Sequence, residues 1–252
     1  MHVPGGFGRS GSLPPMTDDL STLLLQLRLR AFAPTDVLAE AAQLEASAVT
    51  TVLDVAQADG LVERRNGRIV GWTLTTAGRR TGQELLSAEL DASGARERVV
   101  DAYLDFQALN AELLSICTDW QTVVVGGDHV PNDHADPLRD AAVLARLDVL
   151  HRSAMPVTTA LAAAQERFGT YGPRLAAAHA NVAGGRTEWL TRATGASYHG
   201  TWFELHEHLI VVLGLDRAAE PIPAYTPTVV AADDTQASSH VPSGEPRTGD
   251  AP

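Results

Sequence analysis

The sequence predicts a mainly α-helical protein. An N-terminal helix–turn–helix unit is closed by a small β-hairpin and followed by an all-helical C-terminal domain. Three observations predict this. Between Pro34 and Arg80, two short helical patterns precede two strand-like runs around Asn66-Gly67. From Ala95 onward, apolar residues recur at helical spacing in long stretches separated by Gly and Pro. Both ends of the chain are rich in Gly, Pro, Ser or Thr and poor in apolar runs.

The elements come in order. Residues 1–16 read as a disordered lead, and Met16 is a second candidate start. Asp18 or Asp19 caps a first helix to about Phe32, with Leu20, Leu23, Leu24 and Leu27 on one face. Thr35 and Asp36, after Pro34, open a short helix to about Ala42. Ser47 is the expected N-cap of the next helix, in which Val49, Val52, Leu53 and Ala56 share a face. Asp59-Gly60 stops it. Leu61–Arg65 and Arg68–Leu74 flank Asn66-Gly67, the pattern of a two-residue hairpin turn. Thr76 to about Leu90 forms a further helix, bringing the first domain to residues 17–92.

Asp91-Ala92-Ser93-Gly94 is a candidate hinge. A helix from Ala95 to about Thr118 carries a wide apolar surface, wider than one neighbour covers. Gly126–Pro137 reads as a polar loop. Leu138–Ser153 forms one helix, and Pro156 starts another that ends near Phe168. Pro173–Val182, Arg186–Ala193 and Tyr198–Gly214 complete an all-helical domain at residues 95–216. Residues 217–252 read as a disordered tail.

Composition narrows the functions. The chain has 252 residues and a net charge of -12, which argues against general nucleic-acid binding. The charge is unevenly placed. From Thr17 to Gly60 seven acids oppose two arginines, whereas from Leu61 to Arg80 five arginines oppose one acid. All the basic residues are arginine. No apolar run approaches the ~20 residues of a membrane helix, and the start lacks the apolar core of a secretory signal. With one cysteine, Cys117, the chain makes no internal disulfide and suits the cytoplasm.

Three pieces carry a family resemblance: Ala48-Val49-Thr50, Asp59-Gly60-Leu61-Val62-Glu63-Arg64-Arg65 and Leu74-Thr75-Thr76-Ala77-Gly78-Arg79. Together they resemble the winged-helix domain of MarR-type transcription regulators over about a third of the chain. The resemblance implies that the second helix of the motif enters the DNA major groove and that the hairpin, or wing, grips the backbone. The DNA-contact candidates are Ser47, Thr50 and Thr51 on that helix, with Arg64, Arg65 and Arg68 on the wing. The helix has no arginine and carries Asp54, a departure from the basic residues common in that family. A winged helix used as a protein-interaction module, partnering a metabolic enzyme, is the alternative.

Other chemistry is weaker. Asp128, His129, Asp133, His134 and Asp136 are ligand types without a metal-site spacing, so no metal or other cofactor is expected. Tyr198, Trp202 and His206 fall on one helical face and are either core or the lining of a small-molecule effector pocket. No phosphate loop or nucleophile elbow appears, so no enzyme is expected. The expectation is a cytoplasmic, homodimeric regulator of double-stranded DNA.

Overall fold

The computed structural model describes residues 15–192 and 196–216, and eight α-helices and two small antiparallel hairpins account for most of them. The expectations for residues 1–14 and 217–252 lie outside the described residues.

α1 (Pro15–Arg30) presents Leu23, Leu24 and Leu27 to one hydrophobic cluster and Leu25 to another. The first cluster is completed by α2 (Thr35–Ala42), α3 (Ala46–Ala58), β1 (Val62–Arg65) and β2 (Gly71–Leu74). α2 turns into α3 through Gln43, held left-handed at φ 56°. Val49, Val52, Leu53 and Ala56 are buried on one face of α3, as their spacing predicts. The N-cap of α3 is Glu45, without a side-chain cap bond, and Ser47 lies inside the helix.

The β1–β2 hairpin departs from the two-residue turn. Arg65 pairs with Gly71, so Asn66–Val70 form a five-residue loop. Burial sets this register. Val62, Trp72 and Leu74 must share the inward face, and a tighter turn pairing Arg65 with Arg68 shifts the register by an odd number and turns Trp72 away from Val62. Trp72 is fixed further by a two-way backbone pairing with Ala33, and its indole N–H donates to Thr35 Oγ1 at 3.0 Å.

α4 (Thr76–Ala92) is capped by Thr75, whose hydroxyl accepts from Gly78 N–H at 3.0 Å. Leu86 and Leu90 face the second cluster, so α1 and α4 form a wall shared by both cores. The expected hinge is a braced turn. Arg96 donates to Asp91, to Ser87 Oγ at 2.7 Å and toward Leu213 O at 3.4 Å. Two more ties cross from α1 into the helical part: Arg28 pairs with Glu207 at 2.6 Å, and Arg167 reaches Glu89 at 2.8 Å and Ser21 at 3.0 Å.

α5 (Arg96–Gln121) runs three residues past its expected end. The expected polar loop is partly a second hairpin, β3 (Thr122–Val125) and β4 (Asp128–Pro131), joined by Gly126 and Gly127 with φ of 62° and 95°. Two consecutive positive φ values are what a two-residue hairpin turn requires and glycine supplies.

α6 (Pro137–Ala164) is one helix where the sequence predicts two, with Pro156 inside it. Pro156 has no N–H to give the carbonyl four residues back, and this turn of the helix is exposed. The apolar stripe of Leu147, Leu150, Ala154, Val157 and Leu161 crosses the proline unbroken, and its packing on α5 and α7 (Tyr171–Ala183) outweighs that loss. In place of the helix expected over Arg186–Ala193, only a single 3-10 turn, Thr187–Trp189, forms, and Ala193 lies outside the described residues.

α8 (Tyr198–Leu213) is capped by Ser197 and ended by Gly214 at φ 70°. Eleven of its residues are buried, on every side of the helix. A helix buried on all sides belongs inside a protein, here with Thr201, His206, Glu207 and His208 among the enclosed side chains. α8 packs on α1, α4, α5 and α7 and is the centre of the second core.

Candidate nucleic-acid interface

The sequence candidates divide into two groups with opposite environments. Ser47, Thr50 and Thr51 are exposed on the outer face of α3, opposite its buried valines. The hydroxyls of Thr50 and Thr51 donate to the carbonyls of Ala46 and Ser47 at 2.8 and 2.9 Å, which leaves their lone pairs outward. Asp54 is exposed on the same helix.

Arg64, Arg65 and Arg68 are exposed on the first hairpin. β1 and β2 hold the backbone beneath Arg64, whose guanidinium lies 5.8 Å from the Trp72 ring centroid. Arg65 pairs with Glu63 at 2.9 Å, a contact between two exposed groups that solvent weakens. Arg68 sits in the loop. Two further exposed arginines, Arg79 and Arg80, stand on the first turns of α4, which the hairpin enters directly. The charge of these two is plain in the sequence, but their place beside the hairpin comes from the way β2 runs into α4. The unit therefore offers planar, multivalent donors with little desolvation to overcome, the form that grips phosphate oxygens. It also exposes Phe32, Val37, Val55, Ile69 and Val70.

Tyr198, Trp202 and His206 are buried. The Trp202 indole stacks on Phe106 with centroids 4.5 Å apart and donates its N–H to Asn110 Oδ1 at 3.0 Å. His206 lies 5.3 Å from Phe106. Tyr198 O–H approaches His151 Nδ1 at 3.4 Å, and His151 stacks on His179, which pairs with Asp148 at 2.7 Å. Two clefts lie elsewhere: one of about 630 Å³ along α4 and one of about 360 Å³ between α5 and α6.

Other chemistry-bearing groups are accounted for by structure. His134 pairs with Asp140 at 2.9 Å and lies tilted against the Trp120 ring, with centroids 4.5 Å apart. Among the described residues no three His, Cys, Asp or Glu side chains gather as a metal site. Burial pushes the Cys117 thiol up to about 12, far from a reactive thiolate. Among the described residues no helix is long and apolar enough to cross a membrane.

His208, on α8, is 1% exposed and bonds to Tyr171 O–H through Nδ1 at 3.2 Å. Burial, with Arg167 nearby, pushes its pKa down to about 3. The folded state keeps this imidazole neutral while the unfolded chain protonates it near pH 6.5. Stability is therefore complete above about pH 6.5 and falls as pH drops toward 3, with a slope approaching ~1.4 kcal/mol per pH unit from this group. Urea unfolding of wild type and His208→Gln at pH 7, 6, 5 and 4 is expected to show a shallower acid loss in the variant. Equal slopes would place the acid sensitivity elsewhere.

Comparison with protein families, with curated proteins and with solved structures finds no match for this chain.

Proposed function

We propose that this protein is a cytoplasmic, DNA-binding transcription regulator whose N-terminal unit is a winged helix of the MarR-like kind. The supporting observation is the separation of charge on one folded unit. Five exposed arginines occupy the hairpin and the start of α4, beside an α3 face that displays hydroxyls. On a protein with net charge -12, such a local excess of cations directs an anionic polymer to one face. α3 has no arginine, so base reading is weak and phosphate contact dominates.

The test is the salt dependence of binding to genomic duplex fragments. Arg64→Ala, Arg65→Ala and Arg68→Ala together are expected to weaken binding on every sequence. The slope of log K against log salt should shrink by about 2–3, given ~0.9 per phosphate contact. An unchanged slope removes the hairpin from the interface. A wild type that binds no fragment at low salt favours the second reading, in which the winged helix docks on a protein. Phe32, Val37, Val55, Ile69 and Val70, exposed on the same unit, are what favours it.

The regulator works as a homodimer, so that two winged helices meet two half-sites of a duplex. The surface for it is the outer flank of α5. Val100, Leu104, Ala111 and Leu114 recur there at helical spacing with their side chains exposed, Leu104 by 61%. α8 is largely buried within its own chain, which leaves Phe203, 44% exposed, as its contribution. Leu104→Glu with Leu114→Glu is expected to convert a dimer to a monomer in sedimentation. A wild type that is monomeric at micromolar concentration, with and without DNA, ends this proposal. An effector pocket at Tyr198, Trp202 and His206 requires space beside rings that are stacked and bonded, so the regulator is proposed without one there.

A further inference from the structure

The cleft of about 630 Å³ runs along the outer side of α4 and is bordered midway by Gly214, the residue that closes α8. Its walls carry both signs of charge. Arg79 and Arg80 stand toward the hairpin, Gln83 and Ser87 in the middle, and Glu84 and Asp91 complete the polar lining. A side chain at Gly214 would start 3.8 Å from Gln83 and 3.9 Å from Ser87, so the backbone leaves α8 directly against α4. Beyond Asp216 the chain continues with Arg217, then Glu220, then Asp233-Asp234, a net of -2 over residues 217–234 from one arginine and three acids.

We propose that this cleft is the docking site of the chain's own segment 217–234, which lays Glu220 against Arg79 and Arg80 and carries Asp233-Asp234 to the hairpin arginines. Order and reach both fit. Ser87 and Arg79 are eight residues apart on α4, about 12 Å along the axis at ~1.5 Å per residue. Glu220 lies four residues beyond Asp216, a span of up to about 14 Å when extended. A chain leaving Gly214 toward the hairpin therefore sets Arg217 near Glu84 and Glu220 near Arg79 and Arg80. Asp233 lies thirteen residues further on, about 20 Å at ~5–6 Å × √n, enough to pass the start of α4. The segment's carboxylates occupy the cations that phosphate would use. Its docking lowers DNA affinity most at low salt, where exposed charges attract most strongly. The competition rests on the DNA-binding reading; the docking does not.

The two are tested separately, on the full chain. Ala231→Cys supplies a labelling site for a nitroxide, because Cys117 is buried with its thiol held protonated. At 50 mM salt the amide resonances of Thr76–Ser87 are expected to broaden. The broadening should be relieved at 0.5 M salt and by Glu220→Gln, Asp233→Asn and Asp234→Asn together. Uniform or absent broadening overturns the docking. Broadening of isotope-labelled protein by a separately nitroxide-labelled chain shows the segment seated on a second copy instead, and overturns the intramolecular proposal. The same triple neutral variant is expected to bind duplex DNA about three- to tenfold more tightly than wild type at low salt, the lower end of what three exposed ion pairs supply. Equal affinity overturns the competition even where the label shows docking. Absence of DNA binding by both proteins rejects the DNA-binding reading and leaves the nitroxide result to decide the docking.

Discussion

Trp202→Ala is expected to destabilise the protein by about 3–5 kcal/mol, the range for large aromatic truncations in a packed core. The side chain is 3% exposed, stacks on Phe106 at 4.5 Å and lies 6.4 Å from the Tyr198 ring. Removing it also strands Asn110 Oδ1, which accepts the indole N–H from within the core, at a further loss of about 1–3 kcal/mol. Trp202→Phe separates the two effects. It keeps most of the ring and loses the hydrogen bond, so its loss should be about 1–3 kcal/mol. Urea denaturation of the two variants checks both figures. A small loss for alanine with a neutral phenylalanine would mean slack space beside the ring, and would restore the ligand-lining role that the sequence spacing suggests for Tyr198, Trp202 and His206.

Gly78→Ala is expected to be nearly as damaging, by about 3 kcal/mol, the upper end of the overpacking range. A Cβ at Gly78 would stand 1.9 Å from Leu61 O and 2.8 Å from Leu61 C. These are backbone atoms, and no side chain is there to swing aside. The contact exists because Thr75 ties the start of α4 to the end of α3: its N–H donates to Leu61 O at 3.1 Å and its hydroxyl to Gly60 O at 2.7 Å. Forcing them apart shifts the hairpin and its arginines relative to α4, while the core around α8 is untouched. The expected signature is a lower unfolding midpoint together with weakened DNA binding. Gly67→Ala is the control, since its nearest neighbour is Ile69 O at 3.9 Å and its φ is ordinary. Equal behaviour of the two variants would contradict the close contact at Leu61.

The DNA-contact candidates were legible in the sequence because charge and exposure travel together. Arg64, Arg65 and Arg68 sit in a short polar run, and such a run ends on a surface. The cleft along α4 was not legible. Its walls come from α4 and from Gly214, more than a hundred residues further on, and no local pattern announces that the two meet.

By itself the sequence determined the mainly helical class, the order of the N-terminal helices and hairpin, and the inward face of α3. It also determined the extent of α8, whose stop at Gly214 is a local signal. Tertiary structure decided the rest. Burial of Val62, Trp72 and Leu74 together set the hairpin register over the Asn66-Gly67 signal. An unbroken buried stripe carried α6 through Pro156. Most of all, it decided that α8 is enclosed by α1, α4, α5 and α7. Periodicity reports which face of a helix avoids water; only the packed chain shows what covers that face.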